Sequence, residues 1–490
     1  MIHFLKKNYF IYFALLSGFI FFLPDTWDGD IIAYGFETKD FSGIQTFFTE
    51  MTRYFDLALF QIIFQISIFF NISYQLIFDV LTIIILILFS YEVKKYSEIV
   101  FKLDNYWSNV CSILVITFPI WHILVSSMVA INVTSIYLVL LGYRMLISRN
   151  IKSKSFGIFL IICSFNVLSN LSFIVGLSLA HNIMQYSRKE KIQIHLSSLI
   201  IGLSLFYYLF KSVFFLPYGS FENYNQVNFE YLKPSFVLHN LYNFLTFFLY
   251  YLWIPLIYIL FIKFFKINTF AGKIFKIDLF LSFLSISLIF ICAIVPYLLV
   301  NKSVDLFYFS DYESRHAMLV SVSFSLFFTI LLKTIKEMYS NKKIRNFFLI
   351  LIVFQSLCIL NLSIYQKIED SFFKRGFVEQ LKKISDLRSG RLEILSNQLS
   401  FTYMRPYEVN YLFFKAFGKR VWNINFTDTK TGIAIEEGSY KPYYELDSIV
   451  GDCDTTIKFF NEIDRLQRFK SLYIFNFKDY FRIKLLNTTC

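Results

Sequence analysis

Long apolar runs separated by short charged clusters are the feature that most restricts what this chain can fold into. Of its 490 residues, 56% are hydrophobic and only 17% are charged. About 20 consecutive apolar residues cross the hydrocarbon core of a bilayer as an α-helix, so these runs predict transmembrane helices. The sequence therefore predicts an all-α polytopic membrane protein.

The placement of the basic residues predicts the orientation of the chain. Six clusters between the apolar runs hold 21 Lys and Arg residues, whereas the alternate loops up to residue 365 hold six. Cytoplasmic loops are enriched in Lys and Arg, so the six clusters are assigned to the cytoplasm. The basic clusters in the cytoplasmic loops account for the net charge of +12. Because this charge is explained by the orientation of the chain in the membrane, nucleic acid is not an expected partner.

This alternation predicts about 11 spans, in an inner (plasma) membrane, with the N-terminus in the cytoplasm. Residues 156–186 are interpreted as two short helices, because one long helix would place the later basic clusters outside. Residues 1–365 form the predicted transmembrane domain. Its spans are approximately 5–23, 75–91, 108–125, 127–146, 156–169, 171–186, 194–213, 241–262, 279–300, 317–332 and 346–365.

The first outer segment, residues 24–74, is predicted to contain helices that lie in the membrane interface. It carries seven acidic residues against two basic ones. Apolar side chains mix there with Glu50, Arg53 and Asp56, a mixture that suits interfacial helices better than a clean span. The outer face is thus expected to carry an acidic, aromatic-rich surface.

Residues 366–490 become polar and are predicted to form a small extracytoplasmic α/β domain. Cys453 and Cys490 both lie in this tail, and an oxidising compartment would allow them to pair. Residues 392–395 and 471–477 are typical of strands, and residues 457–469 are typical of a helix.

Asp28 and Asp30 follow the outer end of the first predicted helix. Carboxylates at this position either accept a proton from an acceptor hydroxyl, hold a cation, or are solvated loop charges. The Asp28-Gly29-Asp30 triplet also resembles a metal-binding pattern, which makes a divalent cation a candidate cofactor. No nucleotide-binding motif occurs at a convincing place in the sequence, so no nucleotide cofactor is expected.

Arg315 and His316 lie at the outer mouth of the tenth predicted span, preceded by Asp311 and Glu313. The planar fork of an Arg and a second donor from a His can bind the phosphate of a lipid-linked substrate. The competing interpretation is that Arg315 extends to lipid headgroups, as basic residues at helix ends commonly do.

Further candidates are ionisable residues close to apolar sequence. Asp79 lies at the start of the second predicted span, where it is either functional or a satisfied residue at a helix end. Arg53 is retained as a supporting residue. His122, His181 and His239 are more simply explained by packing or by the interface.

This arrangement resembles the GT-C superfamily of membrane glycosyltransferases, which use polyprenyl-phosphate-linked sugars outside the cytoplasm. The resemblance covers the organisation of residues 1–365. The matching parts are an acidic motif after the first helix, from Trp27 to Tyr34, an interfacial helical shelf through Tyr54, and Ser314-Arg315-His316 before a late helix. The chain departs from the pattern in having no clear paired Asp-Glu motif and no Pro-Leu after Arg53.

The resemblance implies transfer of a sugar from a polyprenyl-phosphate-linked donor to a cell-surface glycan or lipid-linked acceptor. Asp28 or Asp30 would accept the proton of the acceptor, and Arg315 and His316 would bind the donor phosphate. The supporting residues would be Arg53, Asp79, Asp311 and Glu313, and the expected partners are the lipid-linked sugar, a glycan acceptor and membrane lipids.

Other function classes remain open at this point. A polymerase or ligase of surface polysaccharides also uses lipid-linked sugars and arginines on the outer face. A transporter or flippase would carry charged residues in several mid-membrane helices and internal repeats. A structural or assembly subunit would need no acidic and basic pair on one face.

Overall fold

The protein is a helical membrane protein. Among the residues that the structure describes, five helices are long and apolar enough to cross a membrane: Tyr74–Val100, Val129–Ile147, Ile194–Phe214, Pro234–Ile257 and Ile277–Leu298. The computed structural model describes residues 29–125, 127–222, 227, 233–264, 276–304, 312–338, 342–383, 390–396, 406–418, 422–428, 434–436, 453–460 and 482–489.

The described helices alternate with short turns. The described part of the chain also contains 3-10 segments at Pro119–Val125, Gly219–Phe221 and Tyr312–Ala317. The α-helices are α1 Gly29–Thr38, α2 Ser42–Glu50, α3 Tyr54–Phe70, α4 Tyr74–Val100, α5 Asn105–Ile116, α6 Ser127–Ile147, α7 Ile151–Ser164, α8 Ser169–Ser187, α9 Ile194–Phe214, α10 Pro234–Phe264, α11 Lys276–Leu298, α12 Val320–Met338, α13 Lys342–Leu381 and α14 Pro406–Phe417.

Several helices coincide with predicted spans to within a few residues, notably α6, α9 and α11. Residues 156–186 form two helices, α7 and α8, joined by a turn, as the charge pattern predicts. The first predicted span, 5–23, lies outside the described residues. Helices α4 and α10 are longer than the apolar runs that predicted them.

The expected continuous span over residues 108–125 is wrong. Helix α5 ends at Ile116, and a 3-10 segment begins at Pro119. Proline cannot donate a backbone hydrogen bond and clashes with the preceding turn of a helix, which explains the break. The Trp121 indole N–H donates a 2.6 Å hydrogen bond to the Val115 carbonyl, one of the acceptors left over at the helix end.

The first outer segment folds as three helices with a shared core. Ile32 of α1, Phe48 of α2 and Phe60 of α3 are buried together, and Ile131 near the start of α6 joins them. Most of the remaining surface of α3 is apolar and exposed, including Phe69 at 82%. An exposed apolar helix face is what contact with lipid requires.

Helix α6 joins two separate polar layers. Asn132, near its beginning, accepts a hydrogen bond from Arg53 Nη2 at 3.5 Å, while Arg144, near its end, binds Glu92. The 12 residues between Asn132 and Arg144 correspond to about 18 Å along a helix axis. We refer to these layers as the Asn132 end and the Arg144 end of the bundle.

The predicted boundary between residues 365 and 366 falls inside one continuous helix. Helix α13 has 40 residues, so it is about 60 Å long, about twice the thickness of a hydrocarbon core. The change to polar composition therefore marks a change of surroundings along α13 and not a break in the backbone.

Beyond α13, the described residues include five strands that form a mixed sheet of order β3-β2-β1-β4-β5. The central strand β1 is parallel to β2 and β4, and β3 and β5 are antiparallel edge strands. The strands are β1 Gly390–Ser396, β2 Trp422–Asp428, β3 Ala434–Glu436, β4 Cys453–Phe460 and β5 Arg482–Thr489.

The sheet corrects one element of the sequence prediction. Residues 457–460 belong to β4, although a helix was expected over 457–469. Thr455, Thr456 and Ile457 are β-branched residues, which favour a strand. The predicted strand 392–395 lies within β1, whereas residues 471–477 lie outside the described residues.

Helix α14 attaches the tail to the helices. The Phe413 ring packs on Phe377 of α13 at 5.8 Å between centroids, and Phe414 packs on Tyr34 of α1 at 4.8 Å. Glu37 of α1 accepts a 3.0 Å hydrogen bond from the Tyr411 hydroxyl and forms an ion pair with Lys415. The tail therefore contacts the helix that carries Asp30.

Candidate functional site

The acidic element of the predicted site begins helix α1. Asp30 lies in the first turn of α1. Asp28 and the side chain of Asp30 lie outside the described residues. The position of Asp30 is fixed through the buried α1 side chains Ile31 and Ile32, which belong to the same core as Ile131 of α6.

The basic element lies in the 3-10 segment Tyr312–Ala317. Arg315 is partly buried and His316 is buried at 3% exposure. His316 Nδ1 lies 2.9 Å from the Ser303 carbonyl oxygen, and the ring packs against Tyr297 with 4.6 Å between centroids. Since a carbonyl oxygen only accepts, Nδ1 carries the proton and donates it.

Burial, together with the positive charges of Arg315 and Lys302, holds the pKa of His316 well below its ordinary value of 6.5. The ring is therefore neutral, and its second nitrogen, Nε2, has a lone pair and no proton to offer a phosphate. This geometry favours a positioning role for His316, which fixes the segment that carries Arg315. Arg315 carries the positive charge of this pair.

The acidic and basic elements are linked through the beginning of α6. The 3-10 segments Pro119–Val125 and Tyr312–Ala317 pack against each other, and α6 follows the first of them directly. The beginning of α6 packs in turn against α1. The segment Pro119–Val125 and the beginning of α6 therefore connect the helix that carries Asp30 with the segment that carries Arg315, at the Asn132 end.

The other predicted site residues contribute less. Asp79 is partly buried in the second turn of α4. Asp311 and the side chain of Glu313 lie outside the described residues. Among the described residues, no group of three or more His, Cys, Asp or Glu side chains could hold a metal ion.

Sequence analysis missed a buried charged cluster around Asp56. Arg53 Nε lies 2.5 Å from Asp56 Oδ2, and the side chains are 20% and 1% exposed. This contact is an ion pair between a partly buried guanidinium and a buried carboxylate. An ionisable residue in the apolar run that became α3 was the signal that could have identified Asp56.

Three other elements converge on Asp56. Asn166, in the turn between α7 and α8, approaches its carboxylate, and Lys211, in the last turn of α9, lies within electrostatic range of both Asp56 and Arg53. Asn132 of α6 holds the other side of Arg53. The cluster thus unites residues whose positions span more than 150 places in the sequence.

Polar contacts connect this cluster with His316. Ser169, three residues after Asn166, shares a 2.9 Å hydrogen bond with the Tyr297 hydroxyl, and Tyr297 packs on His316. Beyond His316, the Asn240 side chain accepts a 2.9 Å hydrogen bond from the Val304 backbone. The turn that carries Asn166 therefore lies close to Tyr297 and His316.

No protein family, curated protein or solved structure matches this chain.

Proposed function

We propose that this protein is a GT-C-type membrane glycosyltransferase that transfers a sugar from a polyprenyl-phosphate-linked donor on the outer face of the membrane. The observation that carries the proposal is the link between the Asp30 helix and the Arg315 segment through the beginning of α6. Transfer requires a proton acceptor and a phosphate-binding cation on one face, and a scaffold has no such requirement.

In this mechanism, Asp28 or Asp30 accepts the proton of the acceptor hydroxyl as the hydroxyl oxygen attacks the sugar. Arg315 stabilises the negative charge that develops on the departing lipid phosphate, through charge-assisted hydrogen bonds. His316 holds the Arg315 segment against Ser303. The energy of the sugar-phosphate bond drives the transfer.

An arrangement of eleven spans with the Asn132 end outside is part of this proposal. The contacts support it, because residues of the basic clusters meet one another at the Arg144 end. Arg188 donates to the Val100 carbonyl, and Lys102 lies 3.9 Å from Glu190. The segments assigned outside meet at the Asn132 end instead, as Thr52 and Phe215 do.

We further propose that residues 366–490 form an extracytoplasmic α/β domain. The contacts of α14 with α1 support this placement, because α1 belongs to the first outer segment. A domain at this position would cover the acidic element and would help to shape the acceptor site.

The test is a release assay with purified full-length protein and a panel of polyprenyl-phosphate-linked hexoses as donors. Release of polyprenyl phosphate in the presence of a glycan acceptor is the expected result. Asp28→Asn or Asp30→Asn should lower the rate by about 10²- to 10⁴-fold, as loss of a general base does. The matched control is Glu222→Gln, an exposed carboxylate of another outer segment, which should leave the rate unchanged.

Two results would contradict the proposal. Near-normal rates in both aspartate variants would remove the proposed base. Release of lipid only from diphosphate-linked oligosaccharides would favour the polymerase or ligase instead.

A further inference from the structure

The charged cluster around Asp56 contains Arg53, which the resemblance gives only a supporting role, and none of Asp28, Asp30, Arg315 and His316. Arg53 and Lys211 each carry a positive charge and Asp56 a negative one, so the cluster has a net charge of one positive unit. A charge without a partner in a poorly hydrated site is costly, which favours a bound anion of one negative charge.

The cluster also offers hydrogen-bond donors. The Asp56 carboxylate forms an ion pair with Nε of Arg53, and the Asn132 side chain accepts a hydrogen bond from Nη2. Within the described residues, Nη1 is the guanidinium nitrogen that makes neither contact. The Thr52 hydroxyl donates a 3.0 Å hydrogen bond to the Phe215 carbonyl, which brings the end of α9 that carries Lys211 to the turn that carries Arg53. Two neighbouring cations, one of them a guanidinium, form a site for oxyanions.

The surroundings of the cluster are apolar and exposed. Val213 and Phe214, beside Lys211 at the end of α9, are 66% and 68% exposed, and Ile62 of α3 is 58% exposed. Such faces contact lipid tails in a membrane protein. An anion that reaches Arg53 and Lys211 from this side carries a hydrocarbon tail.

We propose that Arg53 and Lys211 form a binding site for the phosphodiester headgroup of a membrane lipid. Arg53 binds one edge of the phosphate, and Lys211 approaches the phosphate as a point charge. Asp56 and Asn132 position the guanidinium. The site does not include Arg315, and it stands whether or not the protein transfers sugar.

The experiment is native mass spectrometry of the detergent-solubilised full-length protein, titrated with four probes. Diacylglycerol and phosphatidylglycerol share the same tails and differ in the phosphate. A polyprenyl phosphate tests an isoprenoid tail, and inorganic phosphate tests the headgroup without a tail. We expect both phosphate lipids to bind at least about tenfold more tightly than diacylglycerol, because each charge-assisted contact typically contributes that much or more.

The variants Arg53→Gln and Lys211→Gln should each weaken binding of the phosphate lipids by about tenfold or more. Binding of diacylglycerol should not change. Lys233→Gln, which removes an exposed cation of another outer segment, is the matched control and should bind as the native protein does. Arg53→Lys keeps the charge and removes the fork, so its affinity should lie between those of the native protein and Arg53→Gln.

Equal affinity of the native protein and both Gln variants for phosphatidylglycerol and polyprenyl phosphate would overturn the proposal. Inorganic phosphate that bound as tightly as the lipids would refute the lipid assignment. A parallel loss of diacylglycerol binding in the variants would show damage to the fold and would also count against the site. The tighter of the two phosphate lipids identifies the natural ligand class.

Discussion

Arg144 binds Glu92 through two parallel hydrogen bonds, from Nε to Oε2 at 2.6 Å and from Nη2 to Oε1 at 2.9 Å. Glu92 is buried, while the Arg144 side chain is 38% exposed. The pair joins α4 to α6 at the Arg144 end. It is the counterpart of the contact between Arg53 and Asn132 at the other end of α6.

Glu92→Gln should lower the free energy of unfolding by about 1–2 kcal/mol, because Arg144 loses a charged partner while keeping some contact with water. Thermal unfolding in detergent measures the change. Glu190→Gln is the control: its ion pairs with Lys102 and Arg188 are 3.9 and 3.8 Å long and partly exposed, so the expected change is below about 0.5 kcal/mol. Equal changes in the two variants would contradict the structural role of Glu92.

Glycine allows α6 and α7 to approach closely. A Cβ added at Gly157 would lie 2.7 Å from the Gly142 carbonyl oxygen, a backbone atom that cannot move alone. Gly157→Ala should therefore force the helices apart and destabilise the protein by about 1–3 kcal/mol. Gly202→Ala, where nothing lies within 4 Å, should leave stability unchanged or raise it, and the same unfolding measurement compares them.

His316 makes stability depend on pH in a predictable direction. Its folded-state pKa lies well below 6.5, so the unfolded chain binds a proton first as the pH falls. The contribution of the neutral His316 to the free energy of unfolding is complete above about pH 6.5. As the pH falls below that value, this contribution is lost at up to about 1.4 kcal/mol per pH unit. His316→Asn can still donate to the Ser303 carbonyl but does not titrate, so its stability should fall less between pH 7 and pH 5 than that of the native protein. Identical pH profiles would argue against a neutral, buried His316.

Sidedness can be tested at the two ends of α13. Reporter fusions after Arg345 and after Lys383, where α13 has ended, should show opposite locations, because the predicted span over residues 346–365 lies between them. The first should be cytoplasmic and the second external. The same location for both would reject the proposed placement of the tail.

The positions of the long helices could be predicted because hydropathy and charge act locally. An apolar run such as the one that forms α9 must be a helix in lipid, whatever surrounds it. The break at Pro119 could also have been predicted from the sequence, because proline has no backbone N–H to donate. Hydropathy alone does not include this effect. The strand at 457–460 depends on pairing with β1 and β5, which no local pattern contains.

The candidate site was less accessible from sequence, since its contacts are distant along the chain. The sequence indicated Arg53 as a supporting residue but not its surroundings. Four helix ends must meet in the fold before Arg53 lies near Asp56, Asn132, Asn166 and Lys211. The phosphate-binding role of His316 stays a prediction, and the contact of its ring with the Ser303 carbonyl could not be anticipated from the sequence.

Cys453 remains predicted to form a disulfide with Cys490, which lies outside the described residues. The residues next to these cysteines in the sequence, Asp454 and Thr489, are paired in the antiparallel ladder of β4 and β5. Opposed residues in antiparallel strands have Cα atoms about 4.5–5.5 Å apart, within the range of a disulfide.

The measurement is a count of thiols in protein denatured without reductant, using a maleimide that adds mass. Of the six cysteines, four should react before reduction and six after it, provided that the tail faces an oxidising compartment. Cys453→Ser should restore reactivity to Cys490, giving five thiols without reductant, and should destabilise the tail by about 2–4 kcal/mol. Cys358→Ser, at an exposed cysteine of α13, should leave the disulfide intact and give three reactive thiols without reductant. Six reactive thiols in the native protein before reduction would mean that the two residues do not pair.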